Sequence, residues 1–176
     1  MRKLAIEELC RMTVEEYRAA DKLPLTIVLD NIRSLHNVGS IFRTADALRL
    51  ERLCLCGITA CPPSAEIHKT ALGAEDTVPW TYYKDALTAV RELREAGYCV
   101  LALEQVEGSL KLGDFRPAPG VPHALVLGNE VKGVQQTVVD ACTQALEIPQ
   151  YGMKHSLNVS VSAGIAMWEL SRWMRQ

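Results

Sequence analysis

The sequence predicts an α/β domain with a mostly parallel sheet covered by helices on both faces, and three observations lead there. Short runs of almost continuous apolar residues recur along the chain, helical periodicity fills most of the stretches between them, and three of the runs end in loops of glycine, asparagine and charged residues. Strands buried on both faces lose the apolar–polar alternation of half-exposed ones, and such strands alternating with helices are the mark of a parallel sheet.

A leading helical pattern covers roughly residues 3 to 20 and carries Arg2, Lys3, Arg11 and Arg18, either as a solvated face or as a contact for a polyanion. LTIVL (25 to 29) is the first strand, followed by a helical pattern over 37 to 49. In RLCLCG (52 to 57), Cys54 and Cys56 alternate with Leu53 and Leu55, which predicts buried strand residues. A helix over 84 to 96 leads to YCVLALE (98 to 104), and HALVLG (123 to 128) follows as the fourth strand. A helix over 134 to 142 connects it to ALEIP (145 to 149). Val159 to Ser162 alternate like a strand, but the apolar run they open is long enough for a helix, predicted from about 157 to 174. Its apolar residues from Val159 through Trp168 exceed the one-sided stripe of a surface helix, so this helix is expected to be covered on more than one side.

The 176 residues, 48% hydrophobic and 23% charged, suit one domain with a full core, residues 24–176, preceded by a helical extension, 1–23. A net charge of −2 excludes a uniformly basic nucleic-acid binder and leaves room only for a local basic patch. Cys10, Cys54, Cys56, Cys61, Cys99 and Cys142 form no C-x-x-C pair and have no histidine at metal-ligand spacing, so neither metal nor disulfide is expected. The charged N-terminus is not a signal peptide and no stretch approaches the ~20 apolar residues of a membrane span. A cytoplasmic protein is expected.

Ligands of parallel sheets bind outside the carboxyl ends of the strands. The loops there read DNIRSLHNVGSIFRTADAL, GNEVKGV and QYGMKHSLN. Each polar residue has a modest reading of its own: Asn37 as a helix N-cap, Arg43 as a solvated helix face, Glu130 as a carboxylate favoured by a helix dipole, Ser156 and Asn158 as caps of the last helix. Gly128 and Gly133 bracket four residues in a loop suited to close backbone approach. Neither a phosphate-cradling G-x-x-x-x-G-K-[ST] nor a dinucleotide-binding G-x-G-x-x-G is present.

Three blocks in order, NVGSIFRTADAL (37 to 48), LVLGNEVKGV (125 to 134) and IPQYGMKHSLNVSVSAGIAMWE (148 to 169), resemble the three motifs of the SpoU/TrmH RNA 2'-O-ribose methyltransferases of the SPOUT superfamily. The resemblance implies a deep trefoil knot in the C-terminal part, a feature that ordinary connection rules would exclude. It also implies a homodimer, S-adenosylmethionine as cofactor and RNA as substrate. By motif position, Asn37 and Arg43 match the first motif's catalytic pair, Glu130 the second motif's carboxylate, and Ser156 and Asn158 the third motif's polar pair. Backbone around Leu103, Gly128, Ile148 and Leu157 matches the cofactor pocket. No metal is implied.

A ribose hydroxyl is a weak nucleophile that has to be held in line with the methyl group while its proton is removed or polarised. Arg43 is a poor general base, because a guanidinium stays protonated, and a phosphate clamp fits its chemistry better. EQVEGSLKLGDF (104 to 115) and the two later motifs look closest to the branch that methylates a guanosine ribose in the tRNA D-loop, so tRNA is expected ahead of rRNA. Many relatives append an RNA-binding domain or extension, and none is expected here. Two other classes compete: a cofactor-binding RNA module without turnover, and a nucleotide-binding α/β enzyme unrelated to RNA.

Overall fold

Successive residues of a strand point to opposite faces of a sheet, so near-continuous apolar runs supply two cores at once. The computed structural model describes residues 1–9 and 11–176, leaving Cys10 outside the described residues. Among the described residues seven strands form one wholly parallel sheet: β1 (Leu23–Asp30), β2 (Leu50–Cys56), β3 (Trp80–Tyr83), β4 (Cys99–Leu103), β5 (Leu110–Lys111), β6 (His123–Leu127) and β7 (Gln144–Glu147). Their order is β3-β2-β1-β6-β4-β7-β5. The helices are α1 (Val14–Ala19), α2 (Leu35–Ala47), α3 (Ala65–Ala71), α4 (Ala74–Thr77), α5 (Ala86–Glu95), α6 (Gln136–Ala141) and α7 (Val159–Met174).

The two faces divide the strand residues by size. Leu25, Ile27, Leu29, Leu53, Leu55, Leu125 and Leu127 share one core with Ile41 and Phe42 of α2, Ile67 of α3, and Ala163, Met167 and Leu170 of α7. Val28, Cys54, Cys56, Ala124 and Val126 face the other way, against Ala89, Val90 and Leu93 of α5 and Val138 of α6. Each fully buried leucine of the first core contributes roughly 1.5–3 kcal/mol of transfer free energy. Burial pushes the Cys54 thiol up to about 11 and that of Cys56 further above its ordinary value, so both act as inert packing residues, as expected of them. No helix among the described residues is long and apolar enough to cross a membrane.

Several boundaries differ from expectation. The leading helix is broken: a 3-10 turn (Ile6–Leu9) precedes α1, which starts afresh because Thr13 and Glu16 form a reciprocal capping box. β3 went unpredicted, being a four-residue edge strand whose central Thr81 and Tyr82 are exposed, so it carries no apolar pattern. β5 has two residues, too few for periodicity. The stretch 65–77 holds two short α-helices split at Leu72 and Gly73, two residues whose backbone lies in the left-handed region (φ 54° and 94°).

All strands being parallel, their carboxyl ends lie along one edge of the sheet. β1 connects onward to β2 on one side, while β6 lies against it on the other, so the order reverses between these neighbours. A crevice at such a reversal is where open α/β sheets bind ligands. The fully buried Asp30 clasps it: its carboxylate accepts from Gln135 N (3.1 Å), Gln135 Nε2 (2.8 Å) and Asn31 Nδ2 (2.8 Å), tying the end of β1 to the start of α6.

Candidate active site

The helix after β1 starts earlier than the periodicity indicates. Ser34 is its N-cap, with the hydroxyl accepting from Asn37 N at 3.3 Å, so Asn37 lies inside the first turn and is no cap. Its side chain, in a residue only 9% exposed, is free to reach elsewhere. Asn37 Nδ2 donates to Glu130 Oε1 at 3.0 Å, and Asn158 Nδ2 donates to Asn37 Oδ1 at 3.2 Å. The Glu130 carboxylate also accepts from Arg33 N (2.9 Å) and Ser34 N (3.0 Å). Asn158 in turn is the N-cap of α7, its Oδ1 accepting from Ser160 N at 2.9 Å and Val161 N at 3.4 Å.

These links fix which way each amide points. An ionised carboxylate only accepts, so Asn37 has to turn its NH2 to Glu130 and its oxygen to Asn158. The helix amides only donate, so Asn158 has to turn its oxygen to α7 and its NH2 to Asn37. Three elements remote in sequence are thereby locked in one orientation.

Burial alone would raise the Glu130 pKa, but the donors from Arg33 N, Ser34 N and Asn37 outweigh it and hold the carboxyl below its ordinary 4.5. A depressed carboxyl contributes stability that is complete above the unfolded value and lost as pH falls through the folded one. Wild-type protein is therefore expected to lose its stability advantage over Glu130→Gln as pH drops below 4.5, read by urea denaturation at a series of pH values. An advantage that widened in acid would contradict the hydrogen-bonded, ionised carboxylate.

The loop from Gly128 to Val134 folds on itself. Asn129 and Gly133 exchange backbone hydrogen bonds (3.1 and 2.9 Å), and Asn129 Oδ1 accepts from Val131 N and Lys132 N, both at 3.0 Å. A Cβ on Gly128 would overlap the Gly133 carbonyl carbon and Val134 N. Gly133 has φ +68°, in the left-handed region, and a Cβ there would run into Glu104 Oε2. Glu104, at the end of β4, accepts from Val134 N at 2.9 Å.

A cleft of about 630 Å³ opens beside this loop, within the range of small-molecule sites. Its lining includes Leu103, Gly128, Ile148 and Leu157, together with Glu130, Ser156 and Asn158. Seven of the nine site residues expected from sequence thus gather around one cavity, and Asn37 joins them through its hydrogen bonds. Arg43 does not. It is exposed on α2, about 240° around the helix axis from Asn37, and among the described residues its guanidinium has no hydrogen-bond partner. Ser156 is also exposed, its hydroxyl equally unengaged among the described residues.

The sequence reading missed Ser34 and Glu104. Serine is a preferred N-cap, so Ser34 could have been placed ahead of Asn37. Glu104 was visible as an acidic end to an apolar strand, but its partner, a backbone amide 30 residues away, leaves no mark in the sequence.

The profile of the SpoU rRNA Methylase family matches residues 24–168. A 23S rRNA (guanosine-2'-O-)-methyltransferase, RlmB, of Nitrosomonas europaea is 35% identical over 156 residues, covering 84% of this chain and 56% of that protein. The solved A. aeolicus TrmH/SpoU tRNA modifying enzyme is similar with a TM-score of 0.81 at 26% identity, covering 92% of this chain and 81% of that one. An AdoMet-bound rRNA methyltransferase from Sinorhizobium meliloti has a TM-score of 0.78 at 28% identity, covering 89% and 59%. The chain spans 56% of that Nitrosomonas europaea relative's length and 68% of that of a Shewanella oneidensis RlmB to which it is 29% identical.

Proposed function

The chain belongs to the SpoU rRNA Methylase family, and on that premise we propose that it transfers a methyl group from S-adenosylmethionine to the 2'-hydroxyl of a ribose in structured RNA. The observation that carries this reading is the cleft lined by Leu103, Gly128, Ile148 and Leu157, with the Asn37–Glu130–Asn158 network at its edge. The cavity fits the cofactor by chemistry as well as size: Leu103, Ile148 and Leu157 offer apolar surface to a nucleoside, and the ionised Glu130 offers a negative charge to a sulfonium.

Bound there, S-adenosylmethionine supplies a methyl group activated by its positive sulfur. The chain's own residues hold the ribose. Glu130, with a depressed pKa and three donors on its oxygens, is a weak base and a firm anchor, so its role is to fix Asn37 and the start of α2. Asn37 and Asn158 orient the hydroxyl, and the exposed Ser156 lies where incoming RNA or cofactor can take its hydroxyl. Arg43, charged and without a partner among the described residues, clamps a phosphate next to the target ribose. Arg43→Lys is expected to lower kcat/KM about ten- to a hundredfold, with cofactor affinity unchanged, because a lysine cannot make the bidentate contact. Near-normal transfer by a folded, cofactor-binding Arg43→Lys protein refutes the clamp.

Two RNA classes each have a specific observation. Similarity to a tRNA modifying enzyme of which the chain covers 81% supports tRNA, with a D-loop guanosine as the proposed target. The 35% identity to a 23S rRNA guanosine methyltransferase supports rRNA. Incubation with labelled S-adenosylmethionine and unmodified total RNA, followed by mapping of the labelled nucleotide, tests the activity and separates the two. Label in neither fraction would favour a cofactor-binding module without turnover.

The same reading includes residues 24–176 as the methyltransferase domain after an extension, 1–23, a homodimer, a C-terminal knot and a cytoplasmic location. Support for the dimer comes from α7, whose Val161 (50% exposed), Ile165 (41%) and Trp168 (62%) form one apolar stripe away from the core. Support for the knot comes from the return of the chain from β7, past β4 and β6, to bring Asn158 against Asn37.

A further inference from the structure

Glu104 stands in the wall of the cleft, and nothing in the transfer described above uses it. Its Oε2 accepts from Val134 N at 2.9 Å and its Oε1 from Gln105 N at 3.0 Å. One backbone donor on each oxygen fixes the rotation of the carboxylate, and each oxygen keeps a further acceptor position. The loop rests directly on this group, and a Cβ at Gly133 would overlap Oε2 in its present position. Glu104 is therefore preorganised at the cavity wall rather than a mobile surface acid.

Two carboxylates divide the loop between them. Glu130 is turned to the start of α2, where Asn37 and Asn158 meet, and Glu104 holds the loop's far end at Val134. The reacting methyl belongs at the Glu130 end, which leaves the Glu104 end for the nucleoside of the cofactor. An adenine ring presents mainly acceptor nitrogens, which a carboxylate repels. A ribose presents two adjacent hydroxyl donors, and a fixed carboxylate with one open acceptor position on each oxygen matches that pair.

Resting on the cofactor reading, we propose that Glu104 binds the 2'- and 3'-hydroxyls of the cofactor's ribose and selects for them. The test is calorimetric titration of the full chain with S-adenosylhomocysteine and with its 2'-deoxy and 3'-deoxy analogues. Wild-type protein is expected to bind each analogue at least about tenfold more weakly, because each analogue loses a hydrogen bond to a fixed, charged acceptor. Glu104→Gln is expected to bind S-adenosylhomocysteine about tenfold more weakly and to discriminate far less among the three. Equal binding of all three by the wild-type protein overturns the assignment without needing any variant. So does full discrimination by Glu104→Gln, which would reduce Glu104 to an anchor for Val134. A wild-type protein that binds none of the three overturns the cofactor reading itself, and this assignment with it.

Discussion

Glu130→Ala is expected to reduce methyl transfer by about a hundredfold or more while leaving S-adenosylhomocysteine affinity within a few-fold of wild type. The carboxylate receives Arg33 N, Ser34 N and Asn37 Nδ2, so its removal takes the acceptor from three donors at once. Water can replace it at the two backbone amides, which are only partly enclosed. Water cannot hold Asn37 in one orientation, and Asn37 is what Asn158 leans on. Displacement of a positioning group by about 1 Å costs on the order of a hundredfold in rate, and this change frees two such groups. Single-turnover rates alongside calorimetric affinities separate the alternatives: turnover within threefold of wild type would show that the network does not position the ribose.

Gly128→Ala acts on the other half of the site and is expected to lower cofactor affinity by about a hundredfold and the Tm by about 5 °C. The added methyl overlaps backbone atoms of Gly133 and Val134, which cannot rotate away as a side chain would. Relief requires opening the Asn129–Gly133 bridge, and that movement draws Val134 N from Glu104 and shifts the cleft wall. Overpacking of this kind costs about 1–3 kcal/mol in stability. Thermal melts with and without saturating S-adenosylhomocysteine check both effects. A folded variant that the ligand stabilises as much as wild type would mean that the loop can yield.

How much of this was legible in the sequence depended on where each signal resides. The parallel sheet was legible because burial on both faces writes itself into the continuous apolar runs within β1, β2, β4 and β6. β3 was not, since pairing along one edge needs only backbone groups and leaves Thr81 and Tyr82 exposed. The candidate site residues were picked out by motif resemblance, and their individual chemistry would have supported duller roles. For Asn158 the duller role is also correct: it caps α7 and orients Asn37 with opposite ends of one amide. For Asn37 it is not, because Ser34 does the capping. What no residue type announces is the partner when that partner is a main-chain amide, as it is for Glu130 at Arg33 and Ser34 and for Glu104 at Val134.

The contacts that join Asn37 to Glu130 and to Asn158 span 93 and 121 residues of chain. During synthesis, a nascent polypeptide that has completed β1, α2 and even the Glu130 loop still lacks the amide that closes the circuit. Loop closure over such distances is entropically slow and comes late. The Asn37–Glu130–Asn158 network is thus completed near the end of folding, and truncated or half-folded chains hold these residues without the arrangement on which the proposed methyl transfer depends.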